Sequence, residues 1–403
     1  MQSRDLALKA VLLFSYTYTM MATTLIMPIM GNLAITFPTA GTKIPMLISL
    51  PSLVMIPAIL LSGYISKYVS KKTVLIFGSI LYIIGGFGGG LHDNIDFILL
   101  MRTIGGVGTG LIFPLVPALI AQLYQGQEVP KMIGWGNAAG SIFGVVFATV
   151  TGYLAVMDWH YAFYIYLIYI VLLVAQIMIL PHVPPEKQDI TMKKDDKNDG
   201  LNWLAWVYVL ATLVYMVISM VYIVKTAIFI MEANLGNSAN AGIASSVVSF
   251  TALILCLLFG QIFKLLKRYT VVVGFAATGV CFFCLSIAQN FAMIIVASLF
   301  MGVSLATVLP YLMTTITMVV PKNAQTTAVS FISTAMYIGQ FLAAYYVQAV
   351  EALVNGVTRT AFSIIAGQLL IIVVIAIGFI LLTQSQFDKH VNSHVNSSET
   401  LDA

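Results

Sequence analysis

Residues 63–72 read GYISKYVSKK. They close one long apolar run and open the next. Lys67, Lys71 and Lys72 fall in a gap too short for anything but a turn between two membrane helices. Residues 260–269, GQIFKLLKRY, repeat the pattern, aligning Gly63, Lys67 and Lys71 with Gly260, Lys264 and Arg268. A second echo pairs GVGTGLIFP, ending at Pro114, with GVSLATVLP, ending at Pro310. The two shifts are 197 and 196 residues. Near-equal shifts at separate places point to a duplicated chain. Parallel repeats in a polytopic protein imply two bundles moving about a central site.

The composition agrees. Of 403 residues, 60% are hydrophobic and only 8% are Asp, Glu, Lys or Arg, against about 25% charged in soluble domains. Most of the surface must therefore face lipid. A span needs about 20 apolar residues. The sequence predicts twelve: 8–30, 44–65, 73–91, 97–123, 133–155 and 162–181, then 204–230, 242–263, 270–288, 292–320, 326–349 and 359–383. The runs are continuous rather than alternating, and helices satisfy their own backbone in lipid, so strands are not expected. The first run begins behind Arg4 and Lys9 like a leader. It is too long for one and continues through Pro28 with no small-residue cleavage site, so it reads as a retained helix.

The fold class expected is thus all-α, twelve spans in two six-helix bundles. Residues 1–181 form the first bundle and 204–383 the second. The Pro-rich and charged segment 182–203 is a cytoplasmic linker, and 384–403 a disordered cytoplasmic tail. With the N-terminus in the cytoplasm, 15 of the 19 Lys and Arg fall inside. Only Lys43 and Arg359 fall outside, and Arg102 and Lys225 sit within spans. This asymmetry predicts that both termini are cytoplasmic.

Several function classes drop out. The basic residues lie in loops between spans, so the formal charge of +4 is no nucleic-acid signature. Cys256, Cys281 and Cys284 lie in apolar runs as packing residues, and the pair Cys281 and Cys284 lacks the partners of a metal set. Gly85, Gly86, Gly88, Gly89 and Gly90 follow no strand, so a phosphate loop is not expected. No nucleophile–base arrangement suggests an enzyme, and no cofactor or metal is called for.

On these residues the chain resembles the major facilitator superfamily over about residues 5–385. Gly63, Lys71 and Lys72 match the family's loop between helices 2 and 3. Lys67 stands where that loop has an Asp, and Ser70 where it has a second Gly. The family's charge relay on the cytoplasmic face therefore lacks its acid here. Arg102 and Gly106 in RTIGGVGTG match the helix 4 motif. Gly136, Gly140 and Gly144 keep the small-residue face of helix 5, but Val145 replaces the Pro of exporters. The run DWHYAFYI from Asp158 is similar to the family's loop into helix 6. The resemblance implies a multi-pass protein of the cell membrane, of the bacterial cytoplasmic kind, working by alternating access.

Charges inside spans default to functional candidates. Arg102 and Lys225 lie at similar depth, one in each half. No Asp or Glu lies deep in a helix; Glu232 and Glu351 are near helix ends. Two bases without deep acids favour an anionic or amphipathic organic solute. The alternatives are that Arg102 caps carbonyls or tunes gating, and that Lys225 snorkels or pairs with Glu232. Tyr208, Tyr215 and Tyr222 repeat every seven residues on one face of helix 7. The expected solute-binding set is Arg102, Lys225, Tyr222, Tyr16, Tyr311, Asn137, Tyr337 and Gln340, with Tyr18 as a further polar candidate. The resemblance, in which helices 1, 4, 7 and 10 line the pathway, raises Tyr16, Arg102, Tyr222, Lys225 and Tyr311. The gating set is Gly63, Lys67, Lys71, Lys72, Gly260, Lys264 and Arg268. The partners expected are a small organic solute, protons or a counter-solute for coupling, and the lipid bilayer. No nucleic acid is expected, and the chain is expected to act as a monomer. Two rival functions are a proton-coupled multidrug efflux pump and a non-transporting membrane sensor on the same scaffold.

Overall fold

The computed structural model describes residues 2–66, 68–125, 128–181, 203–320, 325–354 and 356–399. Lys67 and residues 182–202 of the expected linker lie outside them. The described residues hold helices and turns and no strand. Among them, eleven helices are long and apolar enough to cross a membrane.

The first expected span is broken. It comprises α1 (Gln2–Ser15), α2 (Thr17–Thr24), a 3-10 turn at Met27–Ile29 and α3 (Met30–Thr36). Pro28 cannot donate a backbone bond, which accounts for the second break. At the first, the Ser15 and Thr17 hydroxyls donate back to the Val11 and Phe14 carbonyls at 2.7 and 2.6 Å. Such back-bonding bends helices.

Four spans follow their expected positions: α4 (Lys43–Ile65), α5 (Lys71–Gly88), α6 (Ile95–Ile112) with α7 (Leu115–Leu123), and α8 (Glu128–Met157). The break between α6 and α7 falls at Pro114. A turn of α9 (Tyr161–Tyr164) and a 3-10 turn (Ile165–Leu167) lead into α10 (Ile168–Ile179). Next come α11 (Trp203–Glu232) and α12 (Ser238–Leu257). The run expected at 242–263 does not stay whole, since α13 (Phe259–Leu266) begins a separate helix. Then come α14 (Tyr269–Ser286), α15 (Phe291–Val319), α16 (Gln325–Leu353) and α17 (Thr358–Glu399). Pro310 stays inside α15, unlike its echo Pro114. The polar residues after Gln384, expected as a disordered tail, continue α17 as helix to Glu399. No Pro or Gly follows Gly378 to stop it.

Helix ends follow local chemistry. Ser70 N-caps α5 by accepting from the Thr73 N–H, and Asn94 N-caps α6. After α11, Asn234 takes a positive φ of 54°. Its N–H reaches the Met231 carbonyl, and the Leu235 N–H reaches that of Ile230. This double closure satisfies the last orphan carbonyls.

The chain forms two compact units. One takes α1 to α10 together with Met220–Phe250 and Gln340–Gln348. The other takes the start of α11 to Ser219, Thr251–Gly339, and the chain from Ala349. Within the first, α5 and α6 touch backbone to backbone. A Cβ on Gly85 would fall 2.2 Å from the Gly105 nitrogen, and one on Gly108 2.6 Å from the Gly78 carbonyl oxygen. Small residues let membrane helices approach this closely. Within the second, Gly274 of α14 faces Val308 of α15, and Phe282 meets Phe362 of α17 at 5.8 Å. Leu370, Val374 and Leu382 on α17 are exposed, as a lipid-facing helix requires.

These contacts predict opposite outcomes for two glycines. Gly85→Ala should destabilise by about 1–3 kcal/mol through overpacking, read as a lowered unfolding temperature in detergent. Gly63→Ala, with nothing within 4 Å of the added Cβ in α4, should instead raise stability, by up to about 1 kcal/mol through helix propensity.

Candidate functional site

In the first unit, Arg102 of α6 is 4% exposed. Its Nε donates to the Leu47 carbonyl of α4 at 3.2 Å, and Nη1 donates to the Tyr166 hydroxyl at 3.0 Å. Beside it is a cavity of about 10 Å³ bounded by Pro51, Met55, Tyr82, Thr109 and Tyr166. That is room for about one water molecule, and too little for an organic solute. The guanidinium is thus committed to protein partners on both sides.

Around it lies an aromatic cluster. The Tyr18 ring is 4.9 Å from that of Tyr82 and 4.6 Å from that of Tyr169, and Tyr82 is 5.3 Å from Tyr166. Offset and edge-on pairs of this kind stabilise beyond their buried area. A polar chain runs beside them. Ser79 donates to Gln176 Oε1 at 2.9 Å, Gln176 Nε2 donates to Ser15 at 2.9 Å, and Tyr169 donates to Thr17 at 3.0 Å. Sequence reasoning missed Tyr82, Tyr166, Tyr169, Ser79 and Gln176. One signal was present: Gln176 is the lone amide in the apolar run 162–181.

Six of the eight expected solute-binding residues lie in this first unit. Tyr16 sits at the break after α1, and its ring packs on Gly136, where a Cβ would fall 2.3 Å from it. Tyr222 is buried and Lys225 half-buried on α11. Asn137 is exposed on α8, donating to the Ile133 carbonyl at 3.1 Å. Ser52 of α4 donates to Gln340 Oε1 of α16 at 2.7 Å. Tyr311 and Tyr337 lie buried in the second unit. There Tyr215 bonds Ser304 at 2.9 Å and Ser304 bonds Thr278 at 2.6 Å. The structure therefore brings together Arg102 with α4 and Gln340 with α4.

A seam inside the first unit joins α8 to α12. Thr149 and Ser246 hydroxyls meet at 2.7 Å, and Ser246 donates to the Val145 carbonyl at 2.8 Å. A Cβ on Gly242 would fall 2.5 Å from the Ala148 carbonyl oxygen. Gly31 meets α11 as closely, at Met231.

The gating residues take local roles. Lys72 Nζ donates to the Ile177 and Leu180 carbonyls at 2.7 and 2.6 Å, capping α10 with a cation where its dipole is negative. Lys71 opens α5. Gly63 and Gly260 have open space around them. Lys264 is in the last turn of α13, and Arg268 precedes α14. Lys267, between them, holds a positive φ of 48°.

At the other end of the first unit, two loops meet through His160. Its Nδ1 is 2.5 Å from Asp158 Oδ1 and its Nε2 3.0 Å from Asp93 Oδ1, with Trp159 stacked on the ring at 3.7 Å. The His160 backbone N–H, followed by its ring, holds the Asp158 carboxyl below the usual carboxylate range. A carboxylate lowered in this way contributes stability above its unfolded value, near about 4, and loses it as pH falls through the folded value. Asp158→Asn should therefore lower the unfolding temperature at pH 7. That difference should shrink below about pH 4, as followed by thermal unfolding across pH.

A family model described as Major Facilitator Superfamily matches residues 11–344 and 207–399. Multidrug resistance protein 3 of Bacillus subtilis is 28% identical over 107 residues, 26% of this chain and 20% of that protein. Quinolone resistance protein NorA of Staphylococcus aureus is 24% identical over 155 residues, 38% of this chain and 40% of that protein. The alignments thus span less than half the length of these relatives. Among solved structures, a mutant form of the nucleoside transporter NupG superposes with a TM-score of 0.79 at 14% identity, covering 93% of this chain and 99% of that one. The xylose transporter XylE from E. coli, inward open, gives 0.73 at 14% identity over 93% and 95%. Identities this low show a shared fold.

Proposed function

Since the chain belongs to the Major Facilitator Superfamily, we propose that it is a secondary active transporter exporting amphipathic organic solutes. It is a multi-pass protein of the cell membrane and a transporter, not an enzyme. The observation that carries the solute class is the fate of Arg102. A cation spent on the Leu47 carbonyl and Tyr166, beside a cavity fit for one water, is not offered to an anion. What remains for a solute within the first unit is the ring and hydroxyl chemistry of Tyr16 and Tyr222. Such chemistry suits molecules with an apolar body and a polar tip. The Bacillus and Staphylococcus relatives are named for resistance to multiple drugs and to quinolones, which fits a solute of drug-like, amphipathic chemistry.

Alternating access is driven by a proton or solute gradient. No carboxylate lies deep in a span among the described residues, Glu232 and Glu351 being near helix ends. Exchange of solutes needs no titrating acid and fits that arrangement. The lysine-bearing turns favour a cytoplasmic position for both termini, and the protein works as a monomer in the bilayer.

A second reading, transport of organic anions, is favoured by Lys225, a half-buried base on α11. Counterflow in proteoliposomes separates the two, using amphipathic probes of positive, zero and negative charge. We expect all three to move. Lys225→Ala should leave neutral-probe flux within about twofold and cut anion flux by no more than that, well short of the tenfold that about 1.4 kcal/mol represents. Exclusive movement of the anion, abolished in Lys225→Ala, would establish the second reading. Failure of every probe to move would overturn both.

A further inference from the structure

The carbonyl of Leu47 is where α4 loses a hydrogen bond. Its usual donor is the N–H four residues on, and that residue is Pro51, which has none. A carbonyl orphaned in an apolar bundle must find another donor. Arg102 Nε, 3.2 Å away, is that donor. The approach is built for closeness. A Cβ on Gly106 would fall 2.8 Å from the Pro51 Cα, and one on Gly110 2.9 Å from the Met55 carbonyl oxygen. Only bare backbone lets α6 lie against α4 at Pro51. The other end of the guanidinium is anchored by Tyr166 at 3.0 Å.

The next residue after Pro51 is Ser52. Its hydroxyl, within 3.2 Å of the Ile48 carbonyl, meets Gln340 Oε1 of α16 at 2.7 Å. One proline thus creates the orphan that Arg102 fills, one residue before the Ser52 that reaches α16.

We propose that Arg102 is a positioning residue: its Nε–H replaces the donor Pro51 lacks, and so holds the turn of α4 from which Ser52 latches to Gln340. Solute contact is not its role. Arg102 acts on transport through the latch between α4 and α16, which it keeps in register. This rests on the transporter reading only for its effect on flux; the latch itself is measurable without a solute.

The test uses the full-length chain with Cys256, Cys281 and Cys284 replaced by Ala. Ser52→Cys with Gln340→Cys then reports the latch as the rate of crosslinking by a short reagent that bridges two thiols. Arg102→Met should slow crosslinking about tenfold, the scale of one lost charge-assisted hydrogen bond. Adding Pro51→Ala should restore it to within about twofold, because the alanine brings back a backbone N–H for the Leu47 carbonyl. A crosslink indifferent to Arg102→Met overturns the proposal. So does a slowed crosslink that Pro51→Ala leaves slow. If Arg102→Met alone does not fold, rescue is read as recovery of monodisperse protein in Pro51→Ala/Arg102→Met, and no recovery overturns the proposal. In the transport assay, Arg102→Met should lower maximal flux with KM unchanged within about twofold; a raised KM at unchanged maximal flux would make Arg102 a solute contact. A chain that fails to transport leaves the crosslinking result standing, so the two readings fail separately.

Discussion

A backbone carbonyl without a donor inside an apolar bundle costs about 1–3 kcal/mol, and there is no water in the bilayer core to relieve it. That constraint makes the chain helical. It also explains where the helices deviate. Pro28 and Pro114 sit at breaks, while Pro51, Pro57 and Pro310 sit inside helices. At Pro51 the missing bond is replaced from a neighbouring helix, by the most persistent cation a protein has. The Lys72 ammonium does the same service for the last carbonyls of α10. Two of the basic residues that looked functional by location hold backbone oxygens.

The second constraint is close approach. Lipid tails are as apolar as Leu, so helices gain little from burying apolar surface and associate through packing and short polar contacts. Gly85 against Gly105, Gly106 against Pro51, and Gly242 against Ala148 show this at contact distance. Hydroxyls follow the same logic. Thr149 with Ser246 and Ser52 with Gln340 join helices that are remote in sequence yet lie in one compact unit. Seams built of glycine and single hydroxyl contacts are shallow, so they can part and re-form without tearing a core. A transporter needs contacts of that kind.

Much of the fold was legible because apolar length is a property of the sequence itself. The glycines of RTIGGVGTG are visible in the sequence, and α6 uses them to meet α5 at contact distance. Helix breaks were less legible. The bend at Tyr16 depends on Ser15 and Thr17 turning back onto their own helix, which spacing alone does not reveal. The site was least legible. Arg102 read either as an anion contact or as a cap on carbonyls because its depth was visible and its partner was not: Leu47 offers a backbone oxygen, which carries no signature in side-chain identity. That a proline four residues on orphans it follows from α4 alone, but that Arg102 fills it is readable only after α4 and α6 are known to touch. Tyr82, Tyr166 and Tyr169 were invisible as a cluster for the same reason, each being an ordinary tyrosine on its own helix.

The most direct test of the account is gradient-driven flux by the purified chain in proteoliposomes. With a pH or solute gradient imposed, a fluorescent amphipathic probe should accumulate uphill, and the accumulated probe should leak back when the gradient is dissipated. Saturable binding of the same probe with no net movement under either gradient would contradict a transporter and leave a sensor built on a transporter fold.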